Sequence, residues 1–149
     1  MSAKQKLISL FAALALVVSL CAVLAAPVGA DVANVTFAPN PSTAQATATY
    51  TIGFTNSGNA LTANVDTITV TFPSGTTLPE AISKSHVSVN GNLCTVDPVV
   101  QGNKVILTTP VDIAANAGVT VVFSQLAGIK NPAIGGSYKG YVNTSQDPN

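Results

Sequence analysis

The sequence predicts an all-β protein, an antiparallel sandwich of about eight or nine short strands. Apolar and polar residues alternate with a period of two in many short segments, turn residues recur about every 8–12 residues, and no segment outside the N-terminal region is long enough for a crossover helix. The clearest segment is DTITVTFPSG, residues 66–75, in which Ile68, Val70 and Phe72 alternate with threonines. Such a strand has one apolar face, which needs a second sheet to cover it.

The N-terminal region has the features of an export signal. Lysines precede an uncharged apolar stretch over residues 7–26, a proline follows it, and Ala30 completes a small-residue cleavage site. We therefore divide the chain into a signal-peptide helix, residues 1–30, and one β-sandwich domain, residues 31–149, found outside the cell or on its surface after cleavage. The alternative is an uncleaved membrane anchor, because a stretch of this length spans a bilayer.

The charges of the domain argue against a nucleic-acid partner. Residues 31–149 contain four lysines, six acidic residues and no arginine, which gives a formal charge of −2. Nucleic-acid binding needs a basic face, and this composition supplies none. Cys94 is the single cysteine of the domain, so no internal disulfide forms; we predict a buried apolar residue, with an intermolecular bridge as the alternative.

The other alternating segments are predicted strands separated by turn residues. Asn90-Gly91 is the strongest two-residue hairpin signal among them. Pro39 is predicted to end the first strand, and Tyr50 and Tyr138 are predicted to face the core. The predicted strands cover residues 31–38, 47–54, 66–72, 87–89, 93–96, 99–100, 104–109, 119–123 and 137–144.

One short helix is predicted over residues 77–82. Thr77 and Glu80 have the spacing of a capping box, and Pro79 lies where the first turn of a helix tolerates proline. This helix is one or two turns long at most.

Several longer segments resemble a known family. They are ITVTFPSGTTLP (68–79), VSVNG (87–91), ILTTPVDIAA (106–115) and VTVVFSQLAGIKNPAIGGSYKGYVNTSQDP (119–148). Together they resemble the immunoglobulin-like repeat module of secreted bacterial cell-surface and surface-layer-associated proteins. The resemblance implies an immunoglobulin-like sandwich, a surface role and no catalytic residues.

The residues offer no clear enzyme chemistry. His86 is the only histidine, and strand alternation places it on the opposite face from Val87, whereas Cys94 is predicted to point inward, so the two do not form a catalytic pair. No acidic residue has another within four positions, which argues against a local metal site. We therefore predict no enzymatic activity, no metal and no cofactor; carboxylates from distant loops remain the alternative source of a metal site.

Two features are weak candidates for ligand binding. Tyr141 alternates with apolar residues of the last strand and is a possible platform for a sugar ring. Thr67, Thr69 and Thr71 form one row of hydroxyl groups on the wet face of their strand, and residues 47–51 contain a second threonine row. The alternative is an ordinary surface, because threonine is a common residue on the solvent face of strands.

These observations predict an exported, non-enzymatic structural or adhesive module of the bacterial cell surface or extracellular matrix. The alternatives are a carbohydrate-binding module and a self-assembling filament subunit that uses the strand 31–38. Its partners would be other cell-surface proteins, polysaccharide or further copies of itself. Contact with a membrane would occur only through an uncleaved signal segment.

Overall fold

Nine strands in two antiparallel sheets make up a computed structural model that describes residues 32–147. The strands are β1 (Ala33–Asn40), β2 (Thr49–Asn56), β3 (Thr67–Thr71), β4 (Val87–Val89), β5 (Asn92–Leu93), β6 (Val99–Gln101), β7 (Lys104–Thr108), β8 (Ala117–Phe123) and β9 (Tyr141–Thr144). One sheet has the order β1-β2-β8-β4-β5 and the other the order β6-β7-β3-β9. The predicted all-β class and strand number are confirmed.

The predicted signal peptide, residues 1–30, lies outside the described residues. Between residues 32 and 147, no helix has both the length and the apolar character that crossing a bilayer requires.

Strand alternation places the core between the two sheets. In β3, Ile68 and Val70 are fully buried, as is Phe72 directly after the strand. The Phe72 ring meets Tyr50 and Phe123 of the other sheet edge-to-face, with centroids 5.3 and 5.4 Å apart. Segment 66–75 therefore supplies the central apolar contact that its sequence predicts.

The Asn90-Gly91 hairpin also forms as predicted. It joins β4 to β5, with Val89 paired to Asn92. Both turn residues have positive φ angles, 49° and 81°, which a type I′ turn requires and which asparagine and glycine accept at little cost. The strand after this turn is shorter than predicted and ends at Leu93.

The predicted helix over residues 77–82 is wrong. Thr77 forms an isolated bridge with Lys130, in which each backbone N–H donates to the other residue's carbonyl at 3.0 Å. Pro79 also disfavours the helical conformation of the residue before it. The helical turns described by the structure are two 3₁₀ segments, Lys84–His86 and Gln125–Ala127.

Two predictions about strand ends also need correction. The first strand continues through Pro39 to Asn40, because β1 is an edge strand and an edge tolerates a residue without an N–H. The last strand begins at Tyr141 rather than at residue 137, so Tyr138 lies in a loop with 40% of its surface exposed. The prediction that Tyr138 faces the core is therefore wrong, whereas Tyr50 is buried as predicted.

Both ends of the described chain lie at the same end of the sandwich. β1 starts beside the last residues of β2, with Ala33 paired to Thr55. β9 runs antiparallel to β3 and finishes beside its start, with Thr144 paired to Ile68. We call this the proximal end. The opposite end, which we call the distal end, contains Phe72, whose ring contacts Tyr50 near the start of β2 and Phe123 at the end of β8.

Candidate functional site

The structure gives Cys94 and His86 different environments. Cys94 is buried with 5% of its surface exposed, and burial raises the pKa of its thiol. His86 is half-buried in a 3₁₀ turn. A buried thiol of raised pKa is a poor nucleophile at neutral pH. Within residues 32–147, no three histidine, cysteine or acidic side chains are grouped so that they could hold a metal ion.

The four weak candidates from the sequence lie together on one surface. Thr67, Thr69 and Thr71 are half-buried on the side of the four-stranded sheet that faces away from the core. Thr71 is paired directly with Tyr141 on β9, and 61% of Tyr141 is exposed. We call this surface the outer sheet face. The second threonine row, predicted over residues 47–51, belongs to the other sheet and is not part of the outer sheet face.

The strand register orders the neighbours of the threonine row. Thr71 lies between Lys104 on β7 and Tyr141 on β9, and Thr69 lies between Ile106 and Asn143 on the same strands. Neighbouring strands in a sheet are about 4.8 Å apart. The outer sheet face is thus a flat array of hydroxyl, amide and aliphatic groups with Lys104 as a charged residue at its distal side. Such an array can form hydrogen bonds with an extended ligand.

A second candidate is a concave surface at the distal end, which we call the distal cleft. It has a volume of about 200 Å³. Its floor contains the Phe37 and Tyr50 rings, and its rim carries Ile134 and Tyr138, which are 75% and 40% exposed. The remaining lining residues are small or are prolines: Pro39, Ser42, Ala44, Pro73, Asn131, Pro132, Gly135 and Gly136.

Hydrogen bonds hold the cleft in shape. The Tyr50 hydroxyl donates to Asn131 Oδ1 at 2.7 Å, and Asn131 Nδ2 donates to the Pro41 and Thr43 carbonyls at 2.8 Å each. Asn131 is itself buried, so these bonds satisfy its polar atoms away from water. Burial raises the pKa of Tyr50, a change in the direction that favours the protonated hydroxyl. The cleft is therefore formed before any ligand arrives.

The rim of the cleft is also fixed. The Tyr138 hydroxyl donates to the Ile134 carbonyl at 2.5 Å, which closes the intervening glycine-containing turn. The sequence did not indicate this site, because strand alternation had placed Tyr138 in the core. The glycines and the proline over residues 131–136 correctly predict a loop there, but they do not show that the loop continues through Tyr138.

The proximal end is held by a buried carboxylate. Asp66 Oδ1 accepts hydrogen bonds from Ser145 Oγ at 2.6 Å and from Gln146 Nε2 at 2.8 Å, and Oδ2 accepts from the Thr62 N–H at 2.8 Å. These hydrogen bonds, of which that from Ser145 has the largest effect, lower the pKa of Asp66. Since every bond joins Asp66 to its own chain, we assign it a structural role at the end of β9.

Comparison of the chain with known protein families, with curated proteins and with solved structures found no match.

Proposed function

We propose that this protein is an exported, non-enzymatic structural or adhesive module of the bacterial cell surface or extracellular matrix. The observation that carries the proposal is that both ends of the described residues lie at the proximal end. Val32 and Asp147, the first and last described residues, both line one depression along β9. A tether at the proximal end leaves the distal cleft free to meet a partner.

A packed core without a disulfide holds the two sheets of residues 32–147 together. Both sheets contribute large, fully buried residues, among them Ile52, Val70, Leu107 and Phe123. Cys94 is a free, buried cysteine, so it forms no bridge within residues 32–147. A rigid sandwich that displays loops and one flat sheet face is a suitable frame for adhesion.

Export is tested by identifying the N-terminus of the mature protein. We expect mass spectrometry of the protein recovered outside the cytoplasm to give a mature N-terminus at Asp31. Recovery of the intact chain from Met1 in the membrane fraction would instead make it an anchored protein.

Adhesion is tested with purified residues 31–149. We expect the domain to sediment with isolated cell-wall or matrix material and to remain in solution without it. The absence of sedimentation with material from any source would contradict an adhesive role.

Carbohydrate binding by the outer sheet face is a second candidate function. It is favoured by the adjacency of Tyr141 and Thr71, which places an exposed ring beside a row of hydroxyl groups. Tyr141→Ala should weaken binding to a polysaccharide on a glycan array, whereas Tyr138→Ala should leave that binding unchanged if the face and the cleft are separate sites.

The filament alternative requires the N-terminal strand to pair with a second copy. In the structure β1 pairs with β2 of its own chain from Ala33 to Asn40, and Phe37 packs on Phe72. Exchange would replace these same contacts. If the truncated domain lacking residues 31–39 binds the corresponding peptide and full-length protein forms fibres in negative-stain micrographs, the filament proposal gains support; a monomer on size exclusion argues against it.

A further inference from the structure

We propose that the distal cleft binds one ring of an acidic polysaccharide, with the carboxylate of that sugar held at the rim by Lys130 and Lys139. This inference rests on the proposed adhesive function and names the ligand class for the distal end. Its support comes from the size of the cleft, the nature of its walls and the distribution of charge over the domain.

The cleft is too small for a large ligand. Sites for drug-sized molecules occupy roughly 300–1,000 Å³, whereas this cleft encloses about 200 Å³. Its walls are apolar and aromatic, and the Tyr138 ring at the rim is already held in place by its hydroxyl. The C–H face of a sugar ring is attracted to the electron-rich face of an aromatic ring. The uncharged ring of one sugar in a longer polysaccharide therefore fits the dimensions and the chemistry of the cleft.

The charges of the domain are separated between its two ends. All four lysines of the described chain lie at the distal end. Lys84 and Lys139 precede β4 and β9, Lys104 starts β7, and Lys130 forms bridges with Thr47 and Thr77. Asp66, Asp112 and Asp147 lie at the proximal end, by the starts or ends of β3, β7 and β9. Glu80 and Asp97 are the distal acidic residues in the described chain, which leaves a formal excess of two positive charges there.

Two of these lysines flank the loop that lines one side of the cleft. The loop that forms one wall, KNPAIGGSYK, begins at Lys130 and ends at Lys139. None of the residues that line the cleft is acidic. Lys130 lines a neighbouring depression, and Asn131 lines both that depression and the cleft. The lining of the cleft is therefore uncharged, and the loop that forms one wall has a lysine at each end.

This arrangement favours a uronic acid over other anionic ligands. The ring of a uronic acid is uncharged and carries one carboxylate at its edge, which matches an apolar cleft whose lining loop has a lysine at each end. A polyphosphate chain has the charge but no ring, and an acidic peptide has flexible carboxylates without a flat C–H face. Charge complementarity at a rim contributes to selectivity and to the rate of association and is weakened by salt.

The test measures the binding of residues 31–149 to polygalacturonate by affinity electrophoresis or calorimetry. We expect binding that weakens as salt is raised, and little binding to the same polymer after its carboxylates are methyl-esterified. Poly(glycerol phosphate) and polyglutamate are the charge-only probes, and both should bind at least tenfold more weakly than polygalacturonate. Equal binding of the esterified polymer or of either charge-only probe would overturn the proposal, as would no binding of polygalacturonate.

Variants locate the site. Lys130→Gln with Lys139→Gln should weaken binding roughly three- to tenfold, as expected for two exposed ion pairs, and should reduce the salt dependence. Tyr138→Ala should weaken it at least as much, whereas Tyr138→Phe keeps the ring and should retain binding. Lys84→Gln is the matched control, because it removes a distal charge that does not flank the lining loop, and it should change little. A control variant that loses as much binding as the double variant would refute a specific site.

The same preparations separate this inference from the proposed function. Domain that sediments with cell-wall or matrix material but does not bind polygalacturonate keeps the adhesive function and refutes the acidic-sugar cleft. Domain that binds neither refutes both.

Discussion

Replacing Phe72 with alanine removes the ring that joins the two sheets at the distal end. Phe72 is 1% exposed and packs edge-to-face on Phe37, Tyr50 and Phe123, with centroids 5.3–6.0 Å apart. A buried Phe→Ala change costs about 3–5 kcal/mol in free energy of unfolding. Each edge-to-face pair adds about 0.5–1.5 kcal/mol beyond the buried area, so three such pairs place this site in the upper half of that range.

We therefore expect Phe72→Ala to lower the free energy of unfolding by about 4–5 kcal/mol. Small domains have about 5–15 kcal/mol in total, so the variant should be marginally folded. Its midpoint of thermal unfolding should fall by about 15 °C or more. Far-UV circular dichroism in urea is a suitable assay, because the sequence contains no tryptophan to serve as a fluorescent probe.

Thr69→Ala is the control in the same strand. Thr69 lies on the outer sheet face and is half-buried, so we expect a change within about 1 kcal/mol. Equal losses for the two variants would show that the two faces of β3 are assigned wrongly. A loss below about 2 kcal/mol for Phe72→Ala would show that the neighbouring rings collapse into the space.

Three further predictions concern other parts of the fold. Gly140→Ala should destabilise the domain by about 1–3 kcal/mol in urea unfolding, because its added methyl group would overlap the Phe37 ring. Gly118→Ala is the control, because its methyl group would enter open space and should change the stability by no more than about 0.5 kcal/mol. Similar values for the two variants would mean that the Phe37 ring moves aside. Asp66→Asn should cost about 1–3 kcal/mol at neutral pH. Hydrogen bonds, of which that from Ser145 has the largest effect, hold the pKa of Asp66 below its ordinary value. The stability that they give is therefore present above the ordinary pKa and is lost as the pH falls through the lower pKa of the folded state. The stabilities of the variant and the parent should converge in acid, and an equal difference at neutral and acid pH would contradict this. Cys94 should react slowly with a thiol reagent in the folded protein at about pH 8 and rapidly in urea, because burial raises the pKa of its thiol, and fast labelling of the folded protein would show an exposed thiol.

The sequence predicted the strands well wherever the determining forces are local. Alternation of side chains across a strand follows from backbone geometry, so Tyr50, Ile52, Ile68 and Val70 were assigned correctly to the core. The Asn90-Gly91 turn was predictable for the same reason, since its φ angles are a property of the two residues themselves.

The sequence failed where a distant contact overrides a local preference. The capping-box signal at Thr77 predicts a helix, but its backbone groups bond to Lys130 instead. Tyr138 continues the alternation of the last strand, yet it lies in a loop and its hydroxyl bonds to Ile134. Each outcome depends on a partner or a loop path that periodicity does not record.

The sequence by itself determined the all-β class, the approximate strand order along the chain and the inward faces of most strands. Tertiary structure decided which strands are neighbours, and only this register puts Tyr141 beside Thr71. It also brought residues 37–50 and 131–138 together as the distal cleft and separated the lysines from most of the carboxylates. The physical reason is that strand periodicity is encoded within a few residues, whereas pairing and loop closure depend on backbone groups and side chains far apart in the chain.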